Sequence, residues 1–172
     1  MADRIHSLAE IQDRFAILDL YDRQLAAAEA FDLARYDTTF AEDARVDLSD
    51  FGRPACLYPE YRRWLAGLRE VMIRAQRVMG GLRLELDGDR AFTRVPVVCH
   101  VRMRVADKET LSHTGLFYND ELARRSEGWR IVSRLEELSW SDSSRGAGSP
   151  AEGGAGTGGD TGRGTPGGRS GE

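Results

Sequence analysis

The sequence predicts an α+β fold in which three helices from the first half pack on a long, curved antiparallel sheet from the second half, leaving a pocket between them. Three observations predict it. Apolar residues recur at helical spacing over 8–29 and again over 59–75. From Val78 to Trp140 the texture becomes that of strands, broken by turn signals at Asp87-Gly88-Asp89, at 106–109 and at Arg125–Gly128. The whole chain of 172 residues is 41% hydrophobic and 30% charged, which suits one soluble domain with a real core.

The first helix opens on Ser7-Leu8-Ala9-Glu10, a capping box, and runs to about Glu29. Its stripe of Ile11, Phe15, Leu18 and Leu25 places Asp22 inward, four residues after Leu18 and three before Leu25, with Tyr21 beside it. Asp32 caps a short second helix containing Leu33 and Tyr36, which leads through Phe40 into an extended stretch at 44–48 that Phe51-Gly52-Arg53-Pro54 ends. Pro59 sits in the first turn of a third helix, whose stripe of Tyr61, Leu65, Leu68 and Met72 carries it to about Ala75. Strands follow at 78–86, 91–105, 111–124 and 129–140, and Pro96 marks either a bulge or a point where no N–H is required. Beyond Trp140 the composition changes: residues 141–172 hold 12 of the 19 glycines and cannot bury a core, so the domain is expected over 1–140 and a disordered Gly-rich tail over 141–172.

Several classes are excluded by composition. The net charge of -4 mixes both signs, and no Lys/Arg run tracks an aromatic surface, so nucleic acid is not an expected partner. Cys56 and Cys99 lie far apart with no CxxC, which argues against a zinc framework or disulfide scaffold and suits a reducing, cytoplasmic setting. The charged N-terminus has no apolar signal core, and no apolar run reaches membrane-spanning length. Gly80-Gly81 lacks the lysine and helix of a phosphate loop, and the histidines and carboxylates show no ligand spacing. Neither a nucleotide cofactor nor a metal is expected.

The inward Asp22 is either a buried polar anchor or a working site. His100, in an apolar strand, is either a satisfied core residue or a base, and its partner decides: a carboxylate on one ring nitrogen makes the other a better base. His113, thirteen residues on, faces either cavity or solvent. Asp47 and Asp50 flank the end of a strand near the expected pocket mouth, as solvated carboxylates or site residues. Tyr118, with Phe117, Trp129 and Trp140, either stacks on a planar ligand or fills the core, with Trp129 assigned to the core.

The order of elements, Tyr21-Asp22 in the first helix and the segment GLFYNDELARRSEGWRI resemble the SnoaL-like, scytalone dehydratase-like branch of the NTF2-like superfamily over about residues 5–140. The resemblance implies a cone-shaped fold and cofactor-free chemistry. It matches Tyr21 and Asp22 to a catalytic pair on the first helix, and His100, to within one residue, to a catalytic histidine on the strand after the DG turn. A second family histidine is replaced by Arg77, while Thr114 falls where a polar amide is usual.

Together these readings assign Tyr21, Asp22 and His100 to catalysis, and Arg77, Thr114, Asp47, His113 and Tyr118 to substrate binding. They lead to an acid-base enzyme of secondary metabolism, a dehydratase, isomerase or cyclase. Its partner would be a small hydrophobic, polyketide-like carbonyl compound, and the chain would form a homodimer or homo-oligomer. The alternative is a non-catalytic ligand-binding or small-subunit protein of the same fold.

Overall fold

The computed structural model describes residues 7–106 and 108–145. Helix α1 (Leu8–Ala30) is followed by the short α2 (Leu33–Asp37), strand β1 (Phe40–Leu48), a single 3-10 turn, β2 (Arg53–Leu57) and α3 (Tyr58–Leu68). The rest is sheet: β3 (Met72–Met79), β4 (Arg83–Asp87), β5 (Arg90–Val105), β6 (Lys108–Arg125) and β7 (Gly128–Arg145). The capping box closes as expected, with the Glu10 N–H on Ser7 Oγ at 3.2 Å and the Ser7 N–H on Glu10 Oε2 at 2.8 Å. At its other end α1 stops on Phe31, which takes the left-handed conformation (φ 53°), and Asp32 then caps α2 through the Arg35 N–H.

Three expectations change in the structure. The third helix ends at Leu68, and Met72–Met79 is a strand, because the long β5 offers an edge whose pairing with β3 outweighs local helical spacing. The buried face of α1 carries Ile17, Leu20, Tyr21, Gln24, Leu25 and Ala27, while Ile11 and Phe15 of the expected stripe stay 42% and 63% exposed. Strand β7 continues to Arg145, past the expected boundary at Trp140, because Ser141 and Asp142 keep pairing with Thr114 and His113. The remaining Gly-rich segment, 146–172, lies outside the described residues, as does His6.

The sheet runs β2-β1-β7-β6-β5-β3, with β4 pairing β5 beyond β3; every pairing is antiparallel except β1 with β7. Register jumps in the β6–β7 ladder leave Val132 and Ser139 of β7 as extra residues, and such bulges bend a strand. The bent sheet presents a concave face to α1. Pro96 needs no N–H because its carbonyl, accepting the Gly80 N–H at 2.8 Å, points to the edge where β3 ends and β4 has yet to start. The β5–β6 ladder passes it without a shift.

Side chains on the concave face of β5 to β7, among them Val95, Val97, Leu116, Leu122 and Ile131, are buried against Ile17, Leu20 and Leu25 of α1. Each such aliphatic side chain contributes about 1.5–3 kcal/mol on burial. Trp129 is core, as expected, and its Nε1–H donates to Asp13 Oδ1 at 3.1 Å, while Arg124 pairs with the other oxygen at 2.7 Å. These contacts pin the start of α1 to the β6–β7 turn. No described helix is long and apolar enough to cross a membrane.

Candidate functional site

The inner faces of the long strands are mostly apolar, and polar residues interrupt them in one region. Thr93 of β5, Asp120 of β6 and Arg134 of β7 lie in one row across the sheet, and α1 lowers Tyr21 and Gln24 onto it from adjacent turns. The Tyr21 hydroxyl donates to Asp120 Oδ2 at 2.6 Å and lies 2.6 Å from Thr93 Oγ1. Arg134 holds Asp120 in a fork, Nε to Oδ1 at 2.8 Å and Nη2 to Oδ2 at 2.6 Å, and Nη2 also reaches Gln24 Oε1 at 3.0 Å. Both side chains of this ion pair are fully buried. The guanidinium lies 3.7 Å from the Tyr118 ring centroid.

Toward the open end of the cone a second group forms. Glu136, two residues along β7 on the same face, accepts from the Tyr61 hydroxyl at 3.4 Å, and Tyr61 lies 3.4 Å from the Tyr36 hydroxyl. Burial raises the Glu136 carboxyl above the ordinary glutamate range, although Arg134 and Arg77 pull it down. Burial likewise raises the phenols of Tyr21, Tyr36, Tyr61 and Tyr118, so all four remain hydrogen-bond donors. Arg77 enters from β3, opposite Cys99, and its backbone N–H donates to Glu29 Oε1 at the end of α1. Burial raises the Cys99 thiol, and the neighbouring Arg77 charge opposes the rise. Four buried donors, Arg23 Nε, Gln24 Nε2, Arg77 Nη1 and Arg134 Nη1, have no partner among the described residues, and the last two lie beside Glu136. A pocket lined by Ala28, Phe31, Leu33, Tyr36, Leu65 and Arg77 marks the mouth, with an open volume of about 20 Å³, enough for one water.

The expected Asp22–His100 dyad does not form. Asp22 is exposed, because the buried face of α1 is rotated toward Tyr21 and Gln24. On β5 the odd-numbered residues Thr93, Val95, Val97 and Cys99 face the helices, so His100 points from the outer face of the sheet. A shift of one residue turns the expected histidine position into Cys99. His113 pairs with His100 on the same outer face, its Nδ1 2.6 Å from that of His100. Asp47 also points away from the interior: it alternates with buried Val46 and Leu48 and accepts the Ser49 N–H at 2.9 Å, which lowers its pKa. Tyr21, Arg77 and Tyr118 do face the interior, and Thr114 joins them by register opposite Cys99.

The model of the SnoaL-like domain matches residues 9–135. The chain belongs to the SnoaL-like family. The uncharacterized protein Rv2910c of Mycobacterium tuberculosis H37Rv is 31% identical over 131 residues, covering 76% of this chain and 88% of the relative. Two similar solved structures are the Kfla4162 protein of Kribbella flavida and a hexachlorocyclohexane dehydrochlorinase, LinA-type3, of Novosphingobium barchaimii. The first has a TM-score of 0.72 at 19% identity, covering 77% of this chain and 95% of the other. The second has a TM-score of 0.69 at 21% identity, covering 81% and 95%. These likenesses bear on the fold, which is NTF2-like.

Within this SnoaL-like chain, the residues that sequence reasoning passed over are Gln24, Asp120, Arg134 and Glu136. Asp120 was within reach, since Leu116, Tyr118, Asp120 and Leu122 share one strand face at period two. Arg134 and Glu136 were not, because strict alternation from the buried Trp129 and Ile131 would aim them outward, and the bulge at Val132 is what turns them inward. Among the described residues no group of three or more His, Cys, Asp or Glu is placed to hold a metal ion.

Proposed function

We propose that this SnoaL-like chain is a cofactor-independent acid-base enzyme of the lyase or isomerase type, acting inside the cone on a flat, hydrophobic carbonyl compound. The observation that carries the proposal is Glu136, a buried carboxyl with a raised pKa, lying beside the Arg77 and Arg134 guanidiniums, each of which keeps a buried unpartnered N–H. A carboxyl whose proton affinity is raised toward the working pH both takes and returns a proton well. Ionised Glu136 removes a proton from the carbon beside the carbonyl, and the electron pair moves onto the carbonyl oxygen. The donors stabilise that enolate oxygen, and the proton on Glu136 then goes to a departing hydroxyl or to a second carbon. Tyr36, Phe40, Tyr61 and Tyr118 supply the aromatic wall. A polyketide-like substrate is the expectation the family resemblance adds, and a cytoplasmic setting is the one the unpaired Cys56 and Cys99 add.

Proton exchange in D2O tests this with tetralone and indanone as probes, followed by mass spectrometry. The wild type should deuterate the carbon next to the carbonyl, and Glu136→Gln should lower the rate about 100-fold or more. Equal rates in both proteins would remove Glu136 from the chemistry. The small open volume at the mouth favours a second reading, a non-catalytic binding or small-subunit protein. That reading expects no exchange with either ketone and a partner chain that copurifies.

A further inference from the structure

The outer face of the sheet carries a side-chain pair that the interior chemistry does not use. His100 and His113 are directly opposed on β5 and β6, with ring centroids 4.9 Å apart and planes at 75°. The ladder explains their closeness. The Pro96 carbonyl and the Arg104 N–H both point to the β3 side of β5, so the even-numbered residues between them, including His100, turn their backbone groups away from β6. His100 and His113 are therefore a non-hydrogen-bonded pair, the kind in which cross-strand side chains come closest. Their Nδ1 atoms lie 2.6 Å apart, so one ring donates and the other offers a lone pair.

We propose that His100 and His113 form a binding site for a divalent transition-metal ion on the outer face of the sheet, separate from the interior site. Imidazole nitrogens bind zinc at about 2.0–2.1 Å, which sets two of them roughly 3 Å apart on one ion. Opening the pair from 2.6 Å to that bite takes a small rotation of two half-buried rings. Both rings then present neutral lone pairs, a donor set suited to Zn2+, Ni2+ and Cu2+ and poor for Mg2+ or Ca2+. Asp142 of β7 pairs with His113 and Gln76 of β3 pairs with His100, so the row across the outer face ends in a carboxylate and an amide. Arg102, next along β5 on that face, is occupied by Glu109 at 2.5 Å. Two protein ligands leave the remaining positions of the ion to water, or to Asp142 after a change of rotamer.

The chain has three histidines, His6, His100 and His113, which makes the test clean. Ni2+ and Zn2+ are titrated into the untagged full chain by calorimetry. The wild type should take up one ion per chain, His100→Ala and His113→Ala should each weaken binding at least tenfold, and His6→Ala should leave it unchanged. Copper-loaded wild type should show two nitrogen ligands by electron paramagnetic resonance, a readout that does not depend on any variant folding. Absence of saturable binding, loss of binding in His6→Ala, or wild-type affinity in both His100→Ala and His113→Ala would overturn the site.

Discussion

Glu136 sits where a carboxylate is poorly solvated, on a buried stretch of β7 with a weak hydrogen bond from Tyr61. Its raised pKa has a consequence for stability with a definite sign. Protonation is favoured in the folded state relative to the unfolded chain, so the stabilisation is fully present below the ordinary glutamate pKa and is lost as pH rises through the folded value. Glu136→Gln cannot ionise. Its thermal midpoint should match the wild type at acidic pH and exceed it at neutral pH, which a pH series of melting curves will show. Arg134 makes the opposite case: Arg134→Met leaves Asp120 buried without its counter-charge and should cost about 3–5 kcal/mol in urea unfolding. Adding Asp120→Leu should recover part of that loss, because the stranded charge is then gone. Residue identities were only half legible: Tyr21, Arg77 and Tyr118 could be picked out, but Asp22 looked inward because a hydrophobic stripe count overlooks a buried Gln24 bonded to Arg134.

At the scale of elements, α1 was legible at its ends and misread in its rotation. Its capping box is visible in four consecutive residues, and Ser7→Ala should lower stability by about 1 kcal/mol, measured by chemical denaturation. Met72–Met79 shows why local pattern failed: an apolar-rich segment of that length is compatible with helix or strand, and the free edge of β5 decides. His100 shows the sharper hazard of strands, where a displacement of one residue exchanges inside for outside. The outer face offers its own test at Gly115, where an added Cβ would run into the Trp140 indole nitrogen. Trp140 is 47% exposed, so Gly115→Ala should displace the indole into solvent, at small cost in stability and with a red shift in tryptophan emission.

At the scale of the whole molecule, the order of elements was the legible part, because helices followed by long alternating strands have few ways to bury their apolar residues together. The working interior was less legible, since it is assembled from α1, β3, β6 and β7, whose relative rotation and bulges no local spacing encodes. Residues 146–172 contribute almost no large apolar side chain, so a chain ending at Arg145 should melt at the same temperature as the full one. The pocket beside Tyr36 and Arg77 has room for about one water, so a substrate entering there displaces Phe31 and the α3 residues Leu65 and Leu68. The most direct test compares ketone deuteration by the wild type, Glu136→Gln, Asp22→Asn and His100→Ala under one set of conditions. Exchange lost in Glu136→Gln and kept in the other two is the predicted result; exchange kept in Glu136→Gln and lost in Asp22→Asn or His100→Ala would contradict it.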